Sequence, residues 1–526
     1  MGVLTKFRPK NAAPAGNTIV ELASFLPNGA KPWYLTRHLI LLNLILCVPL
    51  LSSSAVGYDA SMMNGLQSLP QWRDYFGQPS PAILGTMNAV YPIGKILLLF
   101  PVSWLSDKYG RRVPILIGLV CLVAFSALQA ASQNIAMFVM SRFLLGASTI
   151  MIAQPSPIII TELAYPTHRG KLTALYNSSF YIGAILAAWG TYGTFKLGST
   201  WSWRIPSALQ AGMPLIQSLF VWALPESPRW LVSKGRIEEA RKILVKHHAG
   251  GDESSALVDY EMQEITDYLR HEAAVNGETS YKDMLRTPAN RHRTLIAVLL
   301  GFYSQWSGIA VVTYYLTLVL DTIGITTTKE QTLINGILQL FNFAAAVGAG
   351  ALMVDRLGRR TLFLISACGL LCSYVCWTAL TASFVRTGNE GMGHGVLGFI
   401  FIAYFFFDIA WTPMLYSYTV EIFPFRLRSL GLSTALMTAN LSLILGMFAN
   451  PIALKAIAWK YYILFCCLLG ILVVLVYFLF PETKGCTLEE IACIFDGPPK
   501  IVDDATVEEQ EIGQEMNHKV DKPTDE

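Results

Sequence analysis

Asp107-Lys108-Tyr109-Gly110-Arg111-Arg112 recurs 248 positions later as Asp355-Arg356-Leu357-Gly358-Arg359-Arg360. Each copy joins two long apolar segments. Two further echoes keep the same order and nearly the same spacing. Glu162-Leu163-Ala164-Tyr165-Pro166 with Arg169 returns as Glu421-Ile422-Phe423-Pro424 with Arg428, 259 positions on, and Pro225-Glu226-Ser227-Pro228-Arg229 returns as Pro481-Glu482-Thr483-Lys484-Gly485, 256 positions on. Three pairs in one order mean a duplicated half. In a membrane chain that duplication implies a two-halved carrier with its solute site between the halves.

Composition agrees. Of 526 residues, 53% are hydrophobic and 14% charged, against about 25% charged in a soluble domain. The mean hydropathy is +0.44. So little charge cannot cover a soluble surface of this size, and lipid is the main solvent. The net charge of +3 points to no nucleic-acid partner. Cys368, Cys372 and Cys376 share one stripe of a helix, but no His or acid accompanies them. They read as packing residues, not as a metal site, and no cofactor or disulfide framework is implied.

About 20 apolar residues cross a bilayer. Such runs predict spans 1–6 near 38–60, 81–104, 113–133, 136–162, 171–191 and 203–224. Spans 7–12 follow near 293–320, 332–354, 361–384, 395–420, 429–454 and 460–480. The expectation is an all-α membrane protein of twelve transmembrane helices in two six-helix halves, 38–224 and 293–480. A tail (1–37) precedes them, with no signal peptide, a linker (225–292) divides them and a polar tail (481–526) ends the chain. Loops with Lys108, Arg111 and Arg112, Arg169 and Lys171, Arg356, Arg359 and Arg360, or Arg426 and Arg428 alternate with nearly uncharged ones, which puts both termini in the cytoplasm. Within the linker, Val258, Met262, Ile265 and Leu269 recur at helical spacing, and 236–248 is basic and amphipathic. Both predict short cytoplasmic helices.

Charges at the basic span ends are expected to pair between helices and gate the cytoplasmic side. The set is Asp107, Arg111, Arg112, Glu162, Arg169, Glu226 and Arg229, with Asp355, Arg359, Arg360, Glu421, Arg428 and Glu482 in the second half. Inside the bilayer, Asp59 lies about 21 residues into span 1, and Arg142 lies early in span 4, about 10 Å deep at 1.5 Å per residue. Matching depth makes them partners, since an unpaired charge in a span costs at least about 2.5–3.5 kcal/mol. A proton bound to Asp59 would release Arg142 and let one half rock against the other.

With these motifs the chain resembles the sugar porter family of the major facilitator superfamily. Pro225 to Leu231, Pro481 to Gly485 with Leu488-Glu489-Glu490-Ile491, and the two Asp-x-x-Gly-Arg-Arg loops carry the likeness over roughly 38–490. The segment Gly57 to Leu66 is most similar to the fungal lactose-permease-like branch. The resemblance implies alternating-access transport of a hexose, disaccharide or polyol, with the acid and base matching Asp59 and Arg142 serving proton symport. Passive facilitation, export of a fungal secondary metabolite and non-transporting sugar sensing stay open. It also implies a plasma-membrane monomer whose partners are a small solute, protons and lipid, and no enzyme activity.

Solute contacts are expected from amides and rings in the spans: Asn177, Gln305, Tyr314, Tyr315, Asn342, Trp411, Tyr416 and Asn440. Amides pair with sugar hydroxyls and rings cover a sugar's apolar face. The family's second glutamine in span 7 is Ser304 here, its Asn is Ala310, and its glycine before the first loop is Ser103. The lost glutamine and asparagine favour a solute larger or less polar than a simple hexose, and Ser103 bears only on packing at the loop.

Overall fold

The computed structural model describes residues 33–276, 281–350, 357–424, 427–484, 491 and 494–496. Asp355, Arg356 and Arg426 lie outside them, as does most of the second tail. Among the described residues every regular element is helical. Twelve crossings are formed. Spans 1–3 are Arg37–Ser68, Pro81–Tyr109 and Arg112–Ala130. Span 4 is Ile135–Ala153 continued by Pro155–Leu163, span 5 Arg169–Thr194, and span 6 Trp201–Leu209 continued by Gly212–Phe220. Span 7 is Pro288–Trp306 with Ile309–Asp321, span 8 Thr328–Ala345 with a π turn at Ala346–Gly350, and span 9 Arg359–Thr387. Span 10 is Glu390–Asp408 with Trp411–Ile422, span 11 Arg428–Ile457 and span 12 Tyr461–Leu479.

The breaks have local causes. Pro155 lacks an N–H and interrupts span 4 at Gln154. Pro214 does the same to the carbonyl of Gln210 in span 6. In span 7 the break falls at Gly308, whose φ is +94°; a Cβ there would meet the Tyr374 hydroxyl at 2.3 Å. Backbone freed at membrane depth is tolerated where it is buried in protein or faces a wet cavity.

Span 1 runs eight residues past its predicted end at 60. The extra turns carry Asn64, Gln67 and Ser68, all buried. They face another helix, not lipid, so they need not be apolar.

The duplication is visible in the packing. Span 1 lies on span 5, 2 on 4 and 3 on 6; span 7 lies on 11, 8 on 10 and 9 on 12. Across the seam, span 2 meets 11, span 5 meets 8, and span 1 meets the second piece of 7. Spans 1 and 5 touch backbone to backbone: a Cβ on Gly57 would lie 1.8 Å from the Phe180 carbonyl, and one on Gly183 1.7 Å from that of Ser54. Only glycine permits such an approach, the usual device where helices pack in lipid. Leu97, Phe100 and Trp104 of span 2, each about 60% exposed, form its lipid face, and Cys368 and Cys372 are likewise exposed on span 9.

Between the halves, Pro228–Ser233, Ile237–His247 and Ala256–Asn276 make a small helical layer on the basic side. Trp230, Leu231, Ala240, Leu244, Val258, Met262 and Ile265 form its core. His248 fastens it to span 4. Its Nδ1 is 2.7 Å from Glu261 and its Nε2 3.1 Å from the Leu163 carbonyl.

Candidate functional site

Asp59 and Arg142 meet in the first half. Arg142 donates from Nη1 and Nη2 to the two carboxylate oxygens of Asp59 at 3.1 and 3.2 Å. Both residues are buried, at 1% and 2% exposure. Arg142 Nε donates to the Met87 carbonyl at 2.6 Å, and Gln210 Nε2 donates to Asp59 Oδ1 at 3.0 Å. The break in span 6 puts Gln210 there. Tyr91 lies under the guanidinium, 5.3 Å from ring centroid to Cζ, and Lys95 Nζ lies 4.3 Å from the same centroid. A two-toothed fork between planar groups is the strongest form such a pair takes, and burial shields it from salt.

The face opposite the basic loops is closed. Asn64 Nδ2 donates to the Thr313 carbonyl at 2.6 Å, and Asn64 Oδ1 accepts from Leu316 N–H at 3.1 Å. Gln67 donates to the Tyr314 carbonyl at 3.1 Å, and Thr328 to that of Ser68 at 3.2 Å. These bonds join span 1 to spans 7 and 8, one half to the other.

On the basic face the three repeated motifs of each half form one cluster. Glu226 accepts from the backbone N–H of Arg111 at 2.9 Å and Arg112 at 3.2 Å, so its carboxylate sits on the amino end of span 3. Glu482 accepts from Arg359 N–H at 2.7 Å and Thr361 N–H at 3.4 Å, on the amino end of span 9. Gly110 and Gly358 have φ of +96° and +88°, and a Cβ on either would strike its glutamate, at 2.4 and 2.7 Å. That contact explains why Gly-Arg-Arg and Pro-Glu travel together. The first arginine of each loop takes the ion pairs: Arg111 with Asp107 at 3.2 Å and Glu162 at 3.5 Å, Arg359 with Glu421 at 3.1 Å. The second caps a helix end, Arg112 on the Trp222 carbonyl and Arg360 on that of Tyr477. Side-chain ion pairs were expected throughout; Glu226 and Glu482 instead bond backbone amides, because an open helix end offers aligned donors. Arg229 reaches Glu264 of the helical layer at 3.7 Å. Arg169 and Arg428 begin spans 5 and 11.

The expected solute contacts differ in what they leave free. Tyr416 is 44% exposed, and Asn177, Gln305, Tyr314 and Asn440 are half-buried. Among the described residues Gln305 Nε2 donates only to Ser304, at 3.3 Å. Asn440 Nδ2 is spent on the Leu436 carbonyl of its own helix, leaving Oδ1. Asn342 is buried with Oδ1 unpartnered among the described residues. Tyr315 is a packing residue: it is fully buried, and its hydroxyl donates to the Met447 carbonyl at 2.6 Å. Trp411 is buried against Phe363, 5.3 Å between centroids.

Sequence reasoning passed over four groups. Asp408 and Lys95 are charges inside predicted spans, a signal that was legible. Gln210 and Asn64 gave none beyond polarity.

The profile of the Sugar (and other) transporter family matches residues 45–495. The chain belongs to that family. It is a multi-pass membrane transporter and not an enzyme. It is 29% identical over 463 residues to the MFS-type transporter criB of Aspergillus cristatus, covering 88% of this chain and 95% of the relative. To a high-affinity glucose transporter of Kluyveromyces lactis it is 28% identical over 474 residues, covering 86% and 84%. Among solved structures, the inward-open xylose transporter XylE of E. coli matches with a TM-score of 0.71 and 25% identity, over 86% of this chain and 100% of that one.

Proposed function

We propose that this transporter carries a sugar or polyol by alternating access in symport with protons, with Asp59 as the coupling acid. The buried Asp59–Arg142 fork carries the reading. An ion pair taken out of water gains only if both partners stay in place. A proton on Asp59 removes its charge and frees Arg142. Span 1 holds both Asp59 and the closing residues Asn64 and Gln67. Protonation is therefore transmitted along one rigid helix to the seam.

Solute recognition is assigned to Gln305, Tyr314, Asn342, Tyr416, Asn177 and Asn440, which still have donors, acceptors or ring faces to offer. The glucose carrier and the xylose transporter among the relatives support a sugar. The basic face is placed in the cytoplasm by its Lys and Arg, with both termini there, in the plasma membrane of a fungal cell as a monomer. The state described is then inward-facing, since the opposite face is latched.

The test is uptake of radiolabelled glucose, xylose, lactose and glycerol into yeast lacking its own sugar carriers, with external pH recorded. At least one solute should accumulate and alkalinise the medium. Asp59→Asn should abolish accumulation and leave exchange. Accumulation without proton movement, unchanged in Asp59→Asn, would refute coupling.

A further inference from the structure

A second carboxylate lies at the seam, outside the Asp59 site. Asp408 ends the first piece of span 10, about 27 Å along the helix from Glu390 at 1.5 Å per residue, and it is fully buried. Tyr181 of span 5, in the other half, donates its hydroxyl to Asp408 Oδ1 at 2.6 Å, and Thr412 donates to the same oxygen at 3.0 Å. Among the described residues Oδ2 has no hydrogen-bond partner. Among the described residues no cation pairs with it.

The groups around Asp408 are hydroxyls. Span 5 offers Tyr181 and span 10 itself Thr412, with Tyr404 one turn before Asp408 and its hydroxyl 2.9 Å from that of Thr313 of span 7. The described Asp, Glu, Lys and Arg of spans 7, 8, 9 and 11 stand near their ends: Arg291, Arg293 and Asp321, Lys329 and Glu330, Arg359, Arg360 and Arg386, and Arg428 and Lys455. The thiols of span 9 are exposed or half-exposed at its surface. An ionised carboxylate so placed has hydroxyl dipoles on one oxygen and nothing on the other. That asymmetry is the pattern of a neutral acid: Oδ1 accepts as the carbonyl, and Oδ2 carries the proton. A bare carboxylate in the same place would cost far more than a hydroxyl lacking an acceptor.

We propose that Asp408 is a second proton-binding site, loaded on Oδ2 while the two halves are joined through Tyr181. Parting of spans 5 and 10 removes the Tyr181 donor and admits water, and the proton leaves Oδ2 to that water. The Tyr181–Asp408 bond thus ties proton occupancy to the state of the seam. This rests on the alternating-access reading but not on which solute is carried or on Asp59.

The test needs no solute. Purified protein in lipid nanodiscs is examined by infrared difference spectroscopy across a neutral-to-alkaline pH titration, reading the C=O stretch of protonated carboxylic acids. Wild type should show such a band at neutral pH; Asp408→Asn should lose it, and Asp59→Asn should keep it. Tyr181→Phe leaves the acid in place and should move the band to higher frequency, so the test survives if Asp408→Asn fails to fold. A neutral-pH band unchanged in Asp408→Asn, no band in wild type, or no shift in Tyr181→Phe would each overturn the proposal. Failure of uptake in the yeast assay with these bands intact would refute the transport reading alone.

Discussion

Replacing Asn64 with alanine should open the face away from the basic loops. Span 7 departs from helical geometry at Tyr315 (φ −139°, ψ 33°), so its backbone groups there lack ordinary partners. Asn64 supplies them from the other half, donating a hydrogen bond to the Thr313 carbonyl and accepting one from Leu316 N–H. In the closed state the alanine variant leaves both groups dry and unpaired; in the open state water reaches them. Two hydrogen bonds at about 0.5–1.5 kcal/mol each come to about 1–3 kcal/mol. That difference lowers the closed-to-open ratio by roughly 5- to 150-fold. The assay is electron–electron resonance distance measurement between spin labels at Ser199→Cys and Arg386→Cys, exposed at this face in different halves, in a background stripped of native cysteines. Wild type should show a dominant short distance, and Asn64→Ala a new longer population. Identical distributions would refute the latch.

Glu226→Gln should lower the melting temperature more than a surface Glu→Gln change, since charge-assisted bonds to an open helix end are worth about 1.5–3 kcal/mol each; Glu482→Gln should do the same in the other half. A melting temperature unchanged in both would show that these glutamates do not hold the loops. Arg142→Ala leaves a buried carboxylate without its counter-charge, a loss of about 3–5 kcal/mol, and Arg142→Ala with Asp59→Asn should melt higher than Arg142→Ala alone; absence of that rescue would deny the pairing. Burial pushes His247 in the helical layer down from 6.5 to about 4. The unfolded chain therefore binds a proton first, and stability falls as pH drops from about 6.5 towards 4. His247→Leu should flatten that fall in melting temperature, and an unaltered slope would count against it.

The sequence alone determines much of this protein. The repeated Asp107 and Asp355 blocks implied two like halves, and apolar run lengths located twelve crossings, because a helix in lipid must satisfy its own backbone and cover about 30 Å. Depth was legible too: a rise of about 1.5 Å per residue set Asp59 and Arg142 at one level without any knowledge of packing. Direction around each helix was not. At 3.6 residues per turn, small errors in span ends and breaks turn a side chain from cavity to lipid. Only the packed structure therefore shows Gln210 on Asp59, Tyr315 spent on Met447, and Tyr181 crossing the seam to Asp408. From sequence the glutamates after spans 6 and 12 look like ion-pair partners, because sequence displays side-chain charge and hides backbone donors. It is the folded loop, bent at Gly110 and Gly358, that turns those amides towards the carboxylates.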